Sequence, residues 1–204
     1  PVALTMSVAQ KLYESGKITY MRTDSVNLSS LALNTTAGKI REIHGENYLK
    51  TRQYKTKTKG AQEAHEAIRP TYIDHETITG TQQEKRLYDL IWKRTLASQM
   101  ADAELEKTVI TIGMSTAAER FVATGEVIVF DGFLKVYMES TDEETNGQGG
   151  QLLLPPVMAG ASLEAVQVQA TERYAQRPPR YTEASLVKRL EELGIGRPST
   201  YAPT

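Results

Sequence analysis

The chain is arranged around a short segment near its start, which reads Ile18-Thr19-Tyr20-Met21-Arg22-Thr23-Asp24-Ser25. Ile18, Tyr20 and Arg22 occupy every second position, and this period of two predicts a short β-strand. The Tyr20 hydroxyl and the Arg22 guanidinium would then project from the same face. Helical spacing on either side predicts a helix over 5–15, which Thr5 would cap, and another over about 30–44, which Ser29 would cap. The strand would then lie within a helical domain.

A phenol beside a fixed cation is suited to attack on a phosphodiester. Because a phenol ionises near pH 10, forming the phenolate at pH 7 costs about 4 kcal/mol. The guanidinium of Arg22 would lower that cost and stabilise the extra negative charge of five-coordinate phosphorus. Asp24 can accept a hydrogen bond from Arg22 and orient it. The spacing equally fits a half-buried tyrosine next to a solvated arginine, so it does not decide between the two interpretations.

Two later regions carry further motifs, namely Glu63-Ala64-His65-Glu66-Ala67-Ile68-Arg69-Pro70, and Glu183-Ala184-Ser185-Leu186 running to Gly194-Ile195-Gly196-Arg197-Pro198-Ser199-Thr200-Tyr201. Together with the segment around Tyr20, and in this order, they resemble the bacterial type IA DNA topoisomerases over essentially the whole chain. The sequences of the Thr23-Asp24-Ser25 segment and of the Gly-Arg-Pro-Ser-Thr-Tyr loop are more similar to the topoisomerase I branch than to topoisomerase III or reverse gyrase. The sequence is therefore identified as an internal fragment of such an enzyme that contains its active-site tyrosine.

The resemblance implies a reversible transesterification on single-stranded DNA. Tyr20 would attack phosphorus and become linked to a 5′-phosphate while a 3′-hydroxyl leaves, and the hydroxyl would reseal the break after another strand has passed. Because the phosphotyrosine preserves the bond energy, no ATP is needed, and the chain contains no GxxxxGK[ST] loop. In the full-length enzyme this reaction would relax negative supercoils.

The resemblance also implies roles for individual side chains. Arg22 is expected to be catalytic with Tyr20, and the residues expected to bind DNA are Asp24, His65, Arg69, Arg197, Ser199 and Thr200. His65 would lie near the scissile phosphate as a phosphate contact or a proton-transfer assistant. A structural ion pair is the alternative for Arg69, and a helix-capping loop is the alternative for residues 196–201.

The expected fold is α+β and multidomain. Residues 1–106 would form a helical catalytic domain that bears the tyrosine, residues 107–176 an antiparallel β-rich arch segment, and residues 177–204 the truncated start of a helical DNA-binding domain. The name of the arch rests on the resemblance, whereas the change from helix to strand near residue 107 is visible in the spacing of apolar residues.

Capping residues locate two further helices. Thr81 with Glu84 forms a capping box and predicts a helix over about 82–100. Thr182 predicts another over about 183–193, which Gly194 would end. The first of these would be buried through Leu87, Leu90, Ile91, Ala97 and Ala101.

Runs of β-branched and aromatic residues predict the strands of the arch segment. They lie at 109–112, 121–122 and 127–130, with turns at Gly125 and Asp131-Gly132. Residues 133–138 would continue the sheet, and residues 163–168 would add another strand.

The composition narrows the class of protein. The chain has no cysteine, which excludes disulfides and Cys-based zinc sites. It contains no apolar run near the roughly 20 residues of a membrane span and no signal-like start, so we expect a soluble intracellular protein. The resemblance implies that it lies in the bacterial cytoplasm, associated with the nucleoid. Residues 1–70 and 171–204 carry net charges of +5 and +2, whereas residues 71–170 carry −8. The motifs therefore lie in the basic parts of the chain, and this charge distribution suits the binding of DNA. In addition, a basic loop over 46–60 that contains Tyr48 and Tyr54 could bind along a single strand.

The expected partners are single-stranded or negatively supercoiled DNA and the missing parts of the same enzyme, an acidic N-terminal domain and C-terminal regions, with no membrane. The resemblance places Mg²⁺ on that acidic domain, and no cofactor or metal site is expected in this fragment, which should not complete relaxation alone. The alternatives are a non-enzymatic single-stranded DNA-binding module with Tyr20 as a stacking platform, an inert structural fragment, and a topoisomerase III-like decatenase. With only three histidines and no His-rich metal motif, a rolling-circle nickase is excluded.

Overall fold

The computed structural model describes residues 1–54, 65–138, 154–172, 174–175, 177–197 and 199–201. It divides the chain into two compact units, the first built from Pro1–Ala103, Asp131–Asp142 and Tyr181–Thr204, and the second from Glu104–Phe130 and Glu143–Arg180. The expected α+β class is confirmed, because the described part contains four α-helices and one two-stranded antiparallel sheet. The domain boundaries at 106/107 and 176/177 stay a prediction.

The first unit is helical, with α1 over Val2–Glu14, α2 over Ser30–His44, α3 over Gln82–Ser98 and α4 over Glu183–Glu192. Short 3₁₀-helices span Glu46–Tyr48 and Gly132–Lys135. All four predicted helices are present, although α1 begins at Val2 and Thr5 does not cap it. The starts of α2, α3 and α4 are set by side chains that satisfy free N–H groups of the first turn.

The caps behave as the sequence predicts. The Ser29 hydroxyl accepts from the Ala32 N–H at 3.3 Å, and Thr81 and Glu84 satisfy each other's backbone N–H groups in a capping box. At α1, whose first turn holds no acidic residue, the Val2 N–H instead donates to the Glu183 carboxylate of α4 at 2.7 Å. The start of α4 therefore lies beside the start of α1.

The core of the first unit forms where α1, α2 and α3 meet. Leu12, Ile40, Leu96 and Met100 are almost fully buried there. On α3 the buried face runs through Tyr88, Trp92 and Leu96. Of the predicted stripe, Ala97 is buried and Leu87 and Ile91 pack partly buried against the core, but Leu90 is 49% exposed. The reason is that the two aromatic residues bury more apolar area, and each also has a polar group that reaches a backbone carbonyl. The Trp92 indole donates to the Ile73 carbonyl at 2.8 Å, and the Tyr88 hydroxyl donates to the His75 carbonyl at 2.5 Å.

The predicted strand over 18–22 is wrong. Ile18 forms only an isolated antiparallel bridge with Pro70, and the buried positions are Ile18 and Met21, three residues apart. The Thr19 N–H donates to the Arg69 carbonyl at 2.9 Å, but the described residues after it find no strand partner. A strand needs such a partner to satisfy its backbone, so the chain continues here as an irregular segment.

In the second unit a long hairpin pairs β1, Glu104–Met114, with β2, Ala117–Phe130. Gly125 lies opposite Thr108 within the ladder, so the predicted turn at Gly125 is wrong, and the chain reverses at Ser115-Thr116 instead. No strand forms over 163–168, although these residues are described. Val166 is 93% exposed there, because its apolar side chain meets no facing surface among the described residues.

Residues 133–138 do not continue the sheet, because the chain turns back into the first unit at Gly132, which has φ +48°. The Phe133 N–H then donates to the Ala101 carbonyl at 2.9 Å, which starts the second 3₁₀-helix. Among the described residues, no helix is both long and apolar enough to cross a membrane.

Candidate active site

The end of α1 determines where Tyr20 lies. The N–H of Gly16 bonds to the Tyr13 carbonyl at 2.8 Å, and that of Lys17 bonds to the Leu12 carbonyl at 2.9 Å. This pair of bonds is a Schellman motif, with Gly16 in the left-handed region at φ +68°. The turn directs the chain back along the helix, so that Tyr20 returns to the level of Tyr13.

The ring of Tyr20 is held between two other rings. Its centroid is 5.2 Å from that of Tyr13, with 70° between the planes, and 5.0 Å from that of His65, with 51° between the planes. The side chain is half-buried, and its hydroxyl makes no hydrogen bond with any other residue that the structure describes. The structure therefore brings Tyr20 of the first motif and His65 of the second motif together through this ring contact.

His65 presents an unused polar atom beside Tyr20. Its Nδ1 is buried and has no hydrogen-bond partner within the described part of the chain. Leaving a buried polar group unpaired costs about 1–3 kcal/mol, so the atom is ready to bond to an incoming group. An oxygen of a phosphate or of water would satisfy it.

Arg22 and Asp24 lie on the irregular segment after Tyr20. The Arg22 side chain is exposed, and neither a hydrogen bond nor an ion pair joins it to Asp24 or to the other described residues. The orienting bond expected between these two side chains is therefore not formed. Asp24 is close to the third motif instead, since the pKa of the Tyr201 hydroxyl is raised by burial and then by the negative charges of Glu191 and Asp24.

Arg69 makes a structural ion pair. Its Nε donates to Oε2 of Glu66 at 2.9 Å, and its Nη1 donates to the Pro70 carbonyl at 2.9 Å. The other oxygen of Glu66 accepts the Ser29 N–H at 2.9 Å, just before α2. Burial alone would raise the pKa of Glu66, but the hydrogen bonds from Ser29 and Arg69 outweigh it and lower that pKa. The structural ion pair given as the alternative for Arg69 is thus present, and the contact of Arg69 with DNA stays a prediction.

The loop after α4 is held by its own hydrogen bonds. Gly194, at φ +67°, ends the helix in a second Schellman motif, and the Arg197 N–H donates to the Thr200 hydroxyl at 2.9 Å. These bonds are the helix-capping loop named as the alternative for this region. They leave the side chains of Arg197 and Ser199 exposed to solvent, where DNA binding stays a prediction.

The first two motifs share a groove with α3. Its volume is about 310 Å³, and its lining combines the backbone after Tyr20, the second motif and one face of the helix: Thr23, Asp24, Ser25, Ala67, Ile68, Leu90, Ile91 and Arg94. Sequence reasoning missed Arg94, which is not among the predicted site residues. Its guanidinium donates to the Tyr137 hydroxyl at 2.7 Å, a partner that no local pattern could indicate.

The basic loop is largely engaged with the scaffold where it is described. Lys50 and Arg52 both pair with Asp102, and the Tyr54 hydroxyl donates to the Ser98 carbonyl at 3.1 Å. Lys55, Lys57 and Lys59 lie outside the described residues. Within the residues described, no group of three or more His, Asp or Glu side chains could hold a metal ion.

Comparison with known proteins shows the class to which this chain belongs. The family model described as DNA topoisomerase matches residues 1–204, and the chain belongs to that family. It is 48% identical over 203 residues to DNA topoisomerase 1 of Zymomonas mobilis, covering 97% of this chain and 17% of the relative. It is 48% identical over 212 residues to DNA topoisomerase 1 of Mycobacterium tuberculosis, covering 97% of this chain and 23% of that relative.

A solved structure gives the same result. The full-length topoisomerase I from Thermotoga maritima matches with a TM-score of 0.79 and 38% identity, over 97% of this chain and 32% of that one. The resemblance to the bacterial type IA enzymes is confirmed. The chain spans only 17% and 23% of the length of the Zymomonas and Mycobacterium relatives.

Proposed function

We propose that this chain is the tyrosine-bearing segment of a bacterial type IA DNA topoisomerase, which breaks and rejoins single-stranded DNA through Tyr20. The observation that carries the proposal is the arrangement around that ring. Tyr20 is fixed between Tyr13 and His65, and its hydroxyl is bonded to no other described residue. The centroid of the His65 ring, whose Nδ1 is unpaired within the described part of the chain, lies 5.0 Å from that of Tyr20. A half-buried phenol next to an unsatisfied imidazole atom is suited to chemistry on an anion.

The proposed step exchanges one phosphodiester for another. The Tyr20 oxygen forms a bond to phosphorus, the bond from phosphorus to the 3′-oxygen breaks, and the phenolic proton is given up while the 3′-oxygen takes one. The product is a 5′-phosphotyrosine and a free 3′-hydroxyl. Rejoining is the same step in reverse, so the DNA supplies both bonds and no nucleotide cofactor is consumed.

Three basic groups would serve this step. The exposed guanidinium of Arg22, two residues from Tyr20, would stabilise the negative charge of the five-coordinate phosphorus. His65 would bond through Nδ1 to a phosphate oxygen or move the phenolic proton. Arg197, on the loop near Asp24, would bind the DNA backbone, as would Ser199 and Thr200.

The rest of the reaction is assigned to other parts of the enzyme. By resemblance to the family, we place its Mg²⁺ on an acidic domain outside this segment and derive no step from it. The whole enzyme would act in the bacterial cytoplasm on negatively supercoiled DNA. The isolated chain is expected not to relax a supercoiled plasmid, and turnover by the chain alone would contradict this division of labour.

The decisive experiment tests Tyr20→Phe in a full-length enzyme that carries this segment. An oligonucleotide labelled at its 3′ end should give covalently labelled protein after quenching with denaturant, whereas a 5′ label should not, because the protein retains the 5′-phosphate. Tyr20→Phe should abolish the adduct and keep the binding of single-stranded DNA. Tyr72→Phe is the matched control, since Tyr72 is an exposed tyrosine whose ring contacts a different histidine, His75.

The result also separates the alternatives. An adduct that persists in Tyr20→Phe would place the nucleophile elsewhere. A salt-sensitive mobility shift without any adduct in the unmodified enzyme would favour the non-enzymatic binding module.

A further inference from the structure

We propose that Tyr13 is a positioning residue for Tyr20, and this rests on the function proposed above. The ring of Tyr13, in the last turn of α1, would fix the orientation of the nucleophilic phenol in both cleavage and rejoining. Tyr13 is not expected to touch DNA or the reacting atoms.

The backbone by itself does not fix the direction of the Tyr20 ring. Tyr20 belongs to neither a helix nor a strand, and the nearest backbone bond is that of the Thr19 N–H to the Arg69 carbonyl at 2.9 Å. A side chain on an irregular segment can change χ1 unless its neighbours prevent it. In this structure Tyr20 packs against the buried core of the first unit, and the two rings in contact with its ring are those of Tyr13 and His65.

Tyr13 is a rigid partner for this purpose. It lies on a helix whose next inward residue, Leu12, is 1% exposed, and its carbonyl accepts the Gly16 N–H that closes the helix. The edge-to-face geometry at 5.2 Å and 70° is the arrangement that aromatic pairs prefer. Because α1 is anchored in the core, the Tyr13 ring has a fixed position and restricts the orientation of the Tyr20 phenol.

Tyr13 is also dispensable for the core. It is 40% exposed, so a smaller fraction of its surface is buried than for the apolar residues of α1 that face inward. A tyrosine there exposes a large ring to water, and the fold gives it no other aromatic partner among the described residues. The contact with Tyr20 is thus the specific interaction that the ring makes.

The ring contact should affect cleavage and rejoining to the same extent. The ring contact is made by the part of Tyr20 that does not react, so it holds the free phenol and the phosphotyrosine alike. Removing it lets Tyr20 occupy unproductive rotamers in both states. Given the usual strength of an aromatic pair, both rates should fall roughly two- to tenfold, and the cleaved fraction at equilibrium should not change.

The experiment compares Tyr13→Leu, Tyr13→Phe and Tyr72→Leu in the full-length enzyme. Single-turnover cleavage and rejoining are measured at saturating DNA, together with the affinity for single-stranded DNA and the thermal midpoint. We expect Tyr13→Leu to slow both steps by about the same factor while affinity and midpoint stay unchanged. Tyr13→Phe keeps the ring and should restore both rates, and Tyr72→Leu should match the unmodified enzyme.

Several outcomes would overturn the inference. Rates for Tyr13→Leu equal to those of the unmodified enzyme would remove any positioning role, and a Tyr13→Phe variant as slow as Tyr13→Leu would make the hydroxyl the active group. A lowered midpoint with unchanged rates would mean that Tyr13 is merely structural, and slowing by Tyr72→Leu would make the effect nonspecific. An adduct formed by Tyr20→Phe would instead overturn the proposed function, and this inference with it.

Discussion

Gly132 offers a sharp test of how the chain leaves the hairpin. Its φ is +48°, and a Cβ built on it would lie 2.6 Å from the Ala101 carbonyl oxygen and still closer to that of Asp102. Real Cβ atoms do not approach backbone oxygens so closely, so Gly132→Ala must displace backbone atoms on one side or the other. That displacement also threatens the Phe133 N–H bond to Ala101, which measures 2.9 Å.

The cost can be assembled from three contributions. Left-handed backbone costs a residue with a Cβ about 1–2 kcal/mol, overpacking adds about 1–3 kcal/mol, and a weakened hydrogen bond adds about 1 kcal/mol. The free energy of unfolding should therefore fall by about 3–6 kcal/mol. That is a large share of the roughly 5–15 kcal/mol that stabilises a typical domain.

Gly16→Ala is the matched control, because Gly16 also has positive φ, at +68°, but nothing lies within 4 Å of a built Cβ. It should lose only about 1–2 kcal/mol, the backbone contribution alone. Urea unfolding of the chain, followed by the helical circular dichroism of the first unit, compares the two variants. Equal losses for Gly132→Ala and Gly16→Ala would refute the close contact between Gly132 and the backbone at residues 101–102.

Two further predictions concern the same unit. Leu96→Ala should lower the free energy of unfolding by about 2–5 kcal/mol, since Leu96 is 0% exposed, and a smaller loss in urea unfolding would show that the core collapses into the cavity. The pKa of Asp102 is lowered from 3.8, chiefly by the hydrogen bond from Lys50 and then by the charge of Arg52. The carboxylate therefore stabilises the fold above about pH 4, and this contribution disappears as the pH falls through the lowered pKa. Asp102→Asn should be less stable than the unmodified chain at pH 7 and nearly equal to it at pH 2, and a difference that persists in acid would contradict the ion pair.

The sequence by itself determined the helices and the family. Ser29, Thr81 with Glu84, and Thr182 each mark a helix start, and all three helices begin where these residues predict. Such caps act within one turn of chain, so the local sequence contains all the information they need. The spacing around Tyr20 left two interpretations open, and the expected chemistry came from the resemblance of the three motifs to the bacterial type IA enzymes.

Tertiary structure decided everything that depends on a distant partner. The segment over 18–22 has the period of a strand but lacks a neighbouring strand, and Gly125 has the composition of a turn but pairs with Thr108. The meeting of Tyr20 with His65, 45 positions later in the numbering, is set by the bonds of residues 17–19 to residues 67–71. A strand, a buried face or a ring contact gains its free energy from groups far away in the chain, and the local sequence does not specify which groups those will be.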